Sequence, residues 1–316
     1  MEKPMNKTAA MIGAGLIGRA WAMVFARAGW TVRLHDTSEA QLVDASVYVS
    51  QSLAEQQAAG LCDDAAAAHA RISYVASLAD AVTGAEWVHE QLPETLELKR
   101  DVFAKLDRLA GESTILASST SAIPASKFTE GLANGARCLV AHPVNPPHLV
   151  PVVELCGAPW TAASTIERAR AILTEIGQVP ILVRREIDGF ILNRLQGALL
   201  TEAMRLVADG CVSPEDLDKT VKDGLGLRWS FMGPFETIEL NAPGGVADYC
   251  ARYSSFYRTL ASNPPASTVW EGDDVEKVVA ALGAPLAAAE RERRTRERDR
   301  RLLALRRHKI ASSNSE

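Results

Sequence analysis

The sequence predicts an α/β protein, with a doubly wound, mostly parallel sheet in the N-terminal part and an all-helical C-terminal domain. Three observations predict this fold. Short apolar runs alternate with stretches of helical length in the first half, a glycine-rich turn follows the first run, and strand-like runs end near residue 185. The 316 residues are enough for about two domains, which we place at 1–185 and 186–316.

Eight strand-like runs and several helical stretches support the sheet. The strand-like runs lie at 9–13, 31–36, 72–76, 87–92, 114–118, 139–142, PVVEL and 179–184. Amphipathic helices are predicted at 16–28 and 96–109. The Ala- and Gln-rich stretch 38–70, broken at Gly60, is predicted to form an inserted helical hairpin.

The second half shows helical patterns and no convincing strand. Residues 190–208 are apolar on most faces, which predicts a buried helix. Ser213 and Pro214 begin another helix, since serine is a preferred N-cap and proline suits the first helical position.

The basic tail, residues 290–309, carries ten arginines and lysines against four acids, although the whole chain has a net charge of −5. Such a tail could bind nucleic acid. However, Glu and Arg alternate at (i, i+4) spacing, which favours a solvated helix, and no aromatic residue is present for base stacking. We therefore expect no nucleic-acid partner.

Composition narrows the class of protein further. Apolar residues make up 47% and charged residues 23%, as in ordinary globular proteins, and no apolar run could span a bilayer, so no membrane partner is expected. Five scattered cysteines without a CxxC pair favour reduced thiols and no metal site. With no leader-like segment at the N-terminus, we expect a cytoplasmic protein.

A dinucleotide site is predicted where the first strand meets the first helix. Gly13, Gly15 and Gly18 form a GxGxxG turn, the Rossmann fingerprint, in which the pyrophosphate sits on the helix N-terminus. Asp36 ends the second strand, 18 residues after Gly18, where an acid binds the adenosine ribose. A carboxylate there would repel a 2′-phosphate, so NAD is the expected cofactor.

Among six histidines, His142 is the candidate base for an alcohol dehydrogenation. It ends a β-run and opens the stiff HPVNPP loop at the carboxyl edge of the sheet, where open α/β folds bind ligands. Glu154 lies in the next β-run, and a short return connection could bring it against the imidazole and raise its basicity. His35 is expected to face solvent or pack locally, His89 to be structural, and the role of His148 is left open.

Five blocks of the chain together resemble one enzyme family. GAGLIGRAWA, SSTSAI, AHPVNPPHLVPVVEL, DGFILNRL and GLGLRWSFMGPFET are similar, in this order, to the 3-hydroxyacyl-CoA dehydrogenase family. The resemblance covers essentially the whole chain. It implies NAD-dependent oxidation of a C3 hydroxyl, and a helical domain that forms a homodimer.

The resemblance also implies roles for individual residues. His142 would be the base with Glu154 as its partner, and Ser121 and Asn193 would hydrogen-bond the reacting oxygen. The implied NAD-binding residues are Gly13, Gly15, Leu16, Ile17, Gly18, Asp36, Glu94 and Lys99. The alternatives are that Ser121 is a strand-end hydroxyl, Asn193 a helix polar residue, and Glu94 with Lys99 a surface pair.

The substrate is expected to be a small 3-hydroxy carboxylic acid. The acyl-CoA branch usually reads HFFNP where this chain reads HPVNP, which favours the gulonate dehydrogenase-like branch. The alternatives are a 3-hydroxyacyl-CoA, carnitine, or a non-enzymatic NAD-binding structural protein. The carboxylate of a free acid needs a cation to bind it, and the candidate is Arg228, which the family places near the active site. The alternative is that Arg228 caps the preceding helix. Arg194 is the second candidate for the carboxylate.

Overall fold

The computed structural model describes residues 7–313, which fold into eight strands and fourteen α-helices. The strands are β1 Thr8–Ile12, β2 Thr31–His35, β3 Ile72–Val75, β4 Trp87–Glu90, β5 Ile115–Ser118, β6 Cys138–Pro143, β7 Val152–Gly157 and β8 Val179–Leu182. The helices are α1 Leu16–Arg27, α2 Glu39–Ala58, α3 Ala65–Ala70, α4 Leu78–Val82, α5 Leu96–Leu109, α6 Ala125–Thr129, α7 Ala163–Glu175, α8 Leu192–Ala208, α9 Pro214–Lys219, α10 Gly226–Trp229, α11 Pro234–Leu240, α12 Gly245–Ala261, α13 Gly272–Leu282 and α14 Ala288–Ser313. A π-helical segment, Thr220–Leu225, joins α9 to α10.

All eight strands form one sheet, in the order β3-β2-β1-β4-β5-β6-β7-β8. Every neighbouring pair is parallel except β6 and β7, which are antiparallel. After β3, at one edge of the sheet, the chain returns to the middle and forms β4 beside β1, on the side opposite β2. The sheet is therefore doubly wound. The predicted fold class is confirmed.

The sheet separates two hydrophobic cores, one on each face. On β1, Ala9 and Met11 belong to one core and Ala10 and Ile12 to the other, because successive side chains point to opposite faces. Residues of α1, α2 and α7 complete the first core, and residues of α4, α5 and α6 complete the second. Helices therefore cover both faces, as predicted.

The inserted helical hairpin is also confirmed. Helix α2 ends at Ala58, and Gly60 adopts the left-handed conformation (φ +74°) that turns the chain. The Asp64 side chain then accepts a hydrogen bond from the Ala67 N–H and caps α3.

The described chain divides into two compact units. The first unit comprises residues 7–193 together with 295–313 and contains the whole sheet. The second unit comprises residues 194–294 and, among its described residues, contains helical elements without a strand, as predicted. No helix in the described part of the chain is long and apolar enough to cross a membrane.

Helix α8 corrects one prediction. Residues 192–208 of this apolar stretch do form a helix, but none of them is buried, and Leu195 is 65% exposed. The prediction of a buried helix is therefore wrong for the single chain. A helix that is apolar on most faces is expected to be buried by other protein surface, but the pattern does not show which surface that is. In the single chain, α8 is left without it.

The tail is helical, as predicted. Helix α14 includes residues 290–309, and ion pairs at the predicted (i, i+4) spacing form, among them Glu290 with Arg294 at 2.8 Å and Glu297 with Arg301 at 2.6 Å. The Ser213 hydroxyl caps α9 through the Asp216 N–H, again as predicted.

Candidate active site

The glycine turn between β1 and α1 has the geometry that a dinucleotide requires. Gly13 has φ +111°, a conformation that favours glycine. A Cβ on Gly18 would lie 1.8 Å from the Gly13 carbonyl oxygen, so only glycine allows the helix to approach the turn. At Gly15 a Cβ would meet open space, so this position faces outward.

The N-terminus of α1 is open to an anion. It has no side-chain cap and no acid in its first turn, and Leu16, its first residue, is 64% exposed. Its unsatisfied N–H groups and positive dipole end suit a pyrophosphate. This arrangement therefore fits the phosphate part of a dinucleotide.

Asp36 lies directly after β2, beside the glycine turn. Its carboxylate accepts hydrogen bonds from the Ala14 N–H at 2.9 Å and the Ser38 N–H at 3.0 Å. Gly13, His35 and Asp36 line a cavity of about 440 Å³, together with apolar side chains such as Leu92. Asp101 and Lys105 also line the cavity. An oriented carboxylate beside the glycine turn, with apolar side chains for the adenine, fits an adenosine, so the residues present fit NAD.

Lys99 is not part of a surface pair. Its side chain is 1% exposed, and its Nζ lies 3.0 Å from Glu90 Oε2 and 3.5 Å from Glu94 Oε2. Glu90 is fully buried at the end of β4 and also accepts a hydrogen bond from the Ser118 hydroxyl at 2.6 Å. The buried pair joins β4 to α5.

Glu94 connects this pair to the loop after β5. Its Oε1 accepts hydrogen bonds from the Thr120 hydroxyl and from the N–H groups of Ser121 (3.0 Å) and Ala122 (3.1 Å). Burial raises the pKa of Glu94, but the Thr120 hydroxyl, the Lys99 charge and the two N–H groups outweigh it and hold the pKa below its ordinary value. Glu94 is therefore an ionised, oriented carboxylate.

His142 and Glu154 face each other across the antiparallel strands β6 and β7. His142 Nδ1 lies 2.7 Å from Glu154 Oε2, and both side chains are buried. Burial raises the pKa of Glu154, but the hydrogen bonds from His142 and from the Leu192 and Ile191 N–H groups outweigh it and lower the pKa. An ionised carboxylate can only accept, so Nδ1 carries the proton and Nε2 is left as a base.

Residues just before and at the start of α8 hold this pair in place. Glu154 Oε1 accepts hydrogen bonds from the Ile191 N–H (2.8 Å) and the Leu192 N–H (2.9 Å). Phe190 is fully buried, with its ring centroid 5.6 Å from that of His142. Phe190 also has φ +48°, which is rare for a bulky residue and marks backbone strain.

Ser121 and Asn193 are brought together by one hydrogen bond. The Asn193 side-chain amide donates to the Ser121 carbonyl oxygen at 3.0 Å. The Ser121 side chain is exposed, so its hydroxyl is accessible at the carboxyl end of β5.

The other histidines have different surroundings. His35 is buried with Nδ1 3.0 Å from the Val75 carbonyl oxygen, so it packs locally rather than facing solvent. His89 is fully buried, its Nε2 2.9 Å from the Ser119 hydroxyl, which fits a structural role. His148 is buried, and its carbonyl accepts hydrogen bonds from Arg27 and Arg306.

Arg228 lies in α10, within the second unit, and is exposed. Among the described residues its guanidinium makes no hydrogen bond or ion pair, so capping of the preceding helix is not observed. Sequence reasoning missed Glu90, Thr120 and Phe190. Only Glu90 had a signal, as an acid at the end of a strand-like run.

Comparison with known proteins identifies the family. The family models for the NAD-binding and C-terminal domains of 3-hydroxyacyl-CoA dehydrogenase match residues 8–187 and 189–273. The chain is 44% identical over 281 residues to the lambda-crystallin homolog of Rattus norvegicus, covering 88% of each chain. It is 36% identical over 302 residues to the L-carnitine dehydrogenase of Pseudomonas sp, covering 95% of this chain and 92% of that one.

A solved structure agrees with this match. An NAD⁺-dependent 5-formyl-3-hydroxy-2-methylpyridine 4-carboxylic acid 5-dehydrogenase is 30% identical, with a TM-score of 0.83 over 96% of this chain and 98% of that chain. Its cofactor is the one that Asp36 and the glycine turn fit. The chain therefore belongs to the 3-hydroxyacyl-CoA dehydrogenase family of NAD-dependent oxidoreductases that act on CH–OH groups.

Proposed function

We propose that this enzyme oxidises the C3 hydroxyl of a small 3-hydroxy carboxylic acid, in the manner of an L-gulonate 3-dehydrogenase. The observation that carries the proposal is the buried His142–Glu154 pair, with its 2.7 Å hydrogen bond. The pair lies at the carboxyl end of β6, the edge of the parallel strands at which Gly13 and Asp36 also lie. Open α/β folds bind their ligands at this edge.

In this mechanism His142 Nε2 takes the hydroxyl proton of the substrate. Glu154 stays ionised, fixes the proton on Nδ1 and stabilises the imidazolium that forms. NAD, when bound, supplies the acceptor for the hydride. The backbone N–H groups of Ile191 and Leu192 keep the Glu154 carboxylate in place, so the imidazole does not need to reorganise during turnover.

Ser121 and Asn193 would hydrogen-bond the reacting oxygen. The hydrogen bond from the Asn193 amide to the Ser121 carbonyl fixes the orientation of that amide and leaves its second N–H available. The Ser121 hydroxyl would be the second donor. Two donors beside the base would stabilise the charge that develops on the oxygen.

Asp36 would bind the adenosine ribose, and the turn from Gly13 to Gly18 the pyrophosphate. Glu94 would face the nicotinamide end, because its carboxylate is held at the carboxyl ends of β4 and β5. Lys99 is almost fully buried, so it would act by positioning Glu94 through their 3.5 Å ion pair.

The substrate's carboxylate would pair with Arg228, whose planar guanidinium suits bidentate binding of a carboxylate. The similarity to an L-carnitine dehydrogenase supports a small 3-hydroxy acid, and carnitine or a 3-hydroxyacyl-CoA is the alternative substrate. The HPVNP sequence, in place of HFFNP, supports the free acid over the CoA ester.

A homodimer formed through the second unit would cover its apolar surface. Leu195 of α8 is 65% exposed and Phe235 of α11 is 77% exposed, and an interface would remove such large apolar side chains from water. Light scattering of the wild-type protein should give twice the mass of one chain, and the Leu195→Asp variant should give the mass of one chain. A wild-type monomer would contradict this part of the proposal.

A substrate screen tests the proposed function. NAD reduction would be measured with L-gulonate, L-carnitine, 3-hydroxybutyrate and 3-hydroxybutyryl-CoA, using His142→Ala for background. We expect kcat/KM for a free hydroxy acid to exceed that for the CoA ester at least about tenfold, which corresponds to ~1.4 kcal/mol. Turnover of the CoA ester alone would contradict the proposed substrate class.

A further inference from the structure

A second cavity, of about 640 Å³, lies in the first unit against α14. This volume is typical of small-molecule sites. Its wall is mainly aliphatic, and its cationic residues are Arg27, Arg306 and Lys309. The aliphatic side chains include those of Leu149, Ile176, Leu302 and Leu305.

Arg27 and Arg306 share one acceptor at this cavity. Both donate to the His148 carbonyl oxygen, at 3.1 Å and 2.7 Å. The remaining acceptors are also neutral: Gln56 Oε1 at 2.9 Å for Arg27 and the Gly177 carbonyl oxygen at 3.2 Å for Arg306. Within residues 7–313, neither guanidinium has a carboxylate partner, and no acid lines the cavity.

The arginines at this cavity lower the pKa values of neighbouring groups. Burial and the nearby Arg306 charge lower the pKa of Arg27 to about 9. Burial and the charges of four arginines, with Arg27 and Arg306 the largest contributors, lower the pKa of His148 to about 3. Burial is the larger cause of both shifts, and the neighbouring arginine charges add to it, so the surroundings of Arg27 and His148 favour an anion.

We propose that this cavity binds a medium-chain aliphatic carboxylate, with its head group on Arg27 and Arg306 and its chain along the aliphatic wall. An arginine fork matches carboxylate geometry, and the wall removes methylene groups from water. The site shares no residue with the dinucleotide cavity or with the His142–Glu154 pair, so it is independent of the proposed function.

Calorimetry with hexanoate, octanoate and decanoate tests the proposal on the whole chain. We expect Kd to fall about fourfold with each added methylene, the effect of burying one CH₂. Octanol and octylamine should bind at least about tenfold more weakly than octanoate, because they lack the anion. The proposal of an aliphatic ligand would be overturned if inorganic phosphate bound as tightly as octanoate and the Kd of the carboxylates did not change with chain length.

Variants locate the binding. Arg306→Met should weaken octanoate binding at least about tenfold. Arg300→Met, on the same helix but lining a different cavity, is the matched control and should leave binding unchanged. Leu305→Asp places a negative charge on the exposed part of the wall and should also weaken binding. Unchanged binding in both Arg306→Met and Leu305→Asp, or binding lost only in Arg228→Met, would overturn the proposal.

Discussion

His142 and Glu154 are opposite residues of the antiparallel pair β6 and β7, joined by a 2.7 Å hydrogen bond from Nδ1 to Oε2. The other carboxylate oxygen of Glu154 accepts two N–H groups just before and at the start of α8. The imidazole is thus oriented by the strand register and by the segment that leads into α8.

Replacing the Glu154 carboxylate tests this arrangement. Glu154→Gln keeps the shape of the side chain but removes the charge that fixes the Nδ1–H tautomer, so kcat should fall about 10- to 10³-fold. The Kd for NAD should stay unchanged. Glu130→Gln, an exposed acid outside the site, is the control. A kcat that matches that of the control would show that Glu154 does not orient the base.

Cofactor choice should depend on Asp36. Asp36→Ala removes the acceptor for the ribose hydroxyls and the charge that repels a 2′-phosphate. NAD should bind about tenfold more weakly, the effect of about one lost charged hydrogen bond, and the preference for NAD over NADP should shrink. Titration with both cofactors measures this, with the exposed Asp63→Ala as control. If the wild-type enzyme already uses NADP as well as NAD, the ribose argument is wrong.

Substrate binding should depend on Arg228. Arg228→Met should raise KM for free hydroxy acids at least about tenfold, which matches the ~1.5–3 kcal/mol of a charged hydrogen bond. NAD affinity and Tm should barely change. Lys222→Met, a neighbouring exposed cation, is the control. A large fall in Tm with KM unchanged would instead assign Arg228 a structural role.

Two buried histidines should make the fold sensitive to mild acid. Burial is the main cause that lowers the pKa of His89 to about 3 and of His148 to about 3. The folded chain keeps both neutral, whereas the unfolded chain gains protons below a pH of about 6.5. The two neutral histidines therefore contribute fully to the free energy of unfolding above pH ~6.5, and this contribution is lost as the pH drops towards 3. At pH 5 the loss is about 2 kcal/mol per histidine.

Denaturation at pH 7 and pH 5 measures this effect. The carboxylates with lowered pKa, Glu94 and Glu154, lose their contribution only as pH falls below about 4.5, so they do not act in this window. His148→Gln should reduce the difference in unfolding free energy between the two pH values, and the exposed His308→Gln should not. An equal difference in both variants would show that His148 titrates normally.

More of the fold than of the candidate site could be predicted from the sequence. The alternation of strand and helix periods located all eight strands, and the short return from His142 to Glu154 placed them opposite each other. The burial of Lys99 against Glu90 could not be predicted, because apolar periodicity does not show which charged residues are paired inside. Nor could the positive φ of Phe190, since Gly189 before it is the residue expected to adopt one. The exposure of α8 could not be predicted, because core and interface helices have the same pattern.

The most direct test of the central claim, that His142 is the base, is single-turnover NAD reduction by His142→Ala with the best substrate of the screen. We predict that the rate of the chemical step falls about 10²- to 10⁴-fold while NAD binds with unchanged Kd. A chemical step as fast as that of the wild-type enzyme would contradict the account.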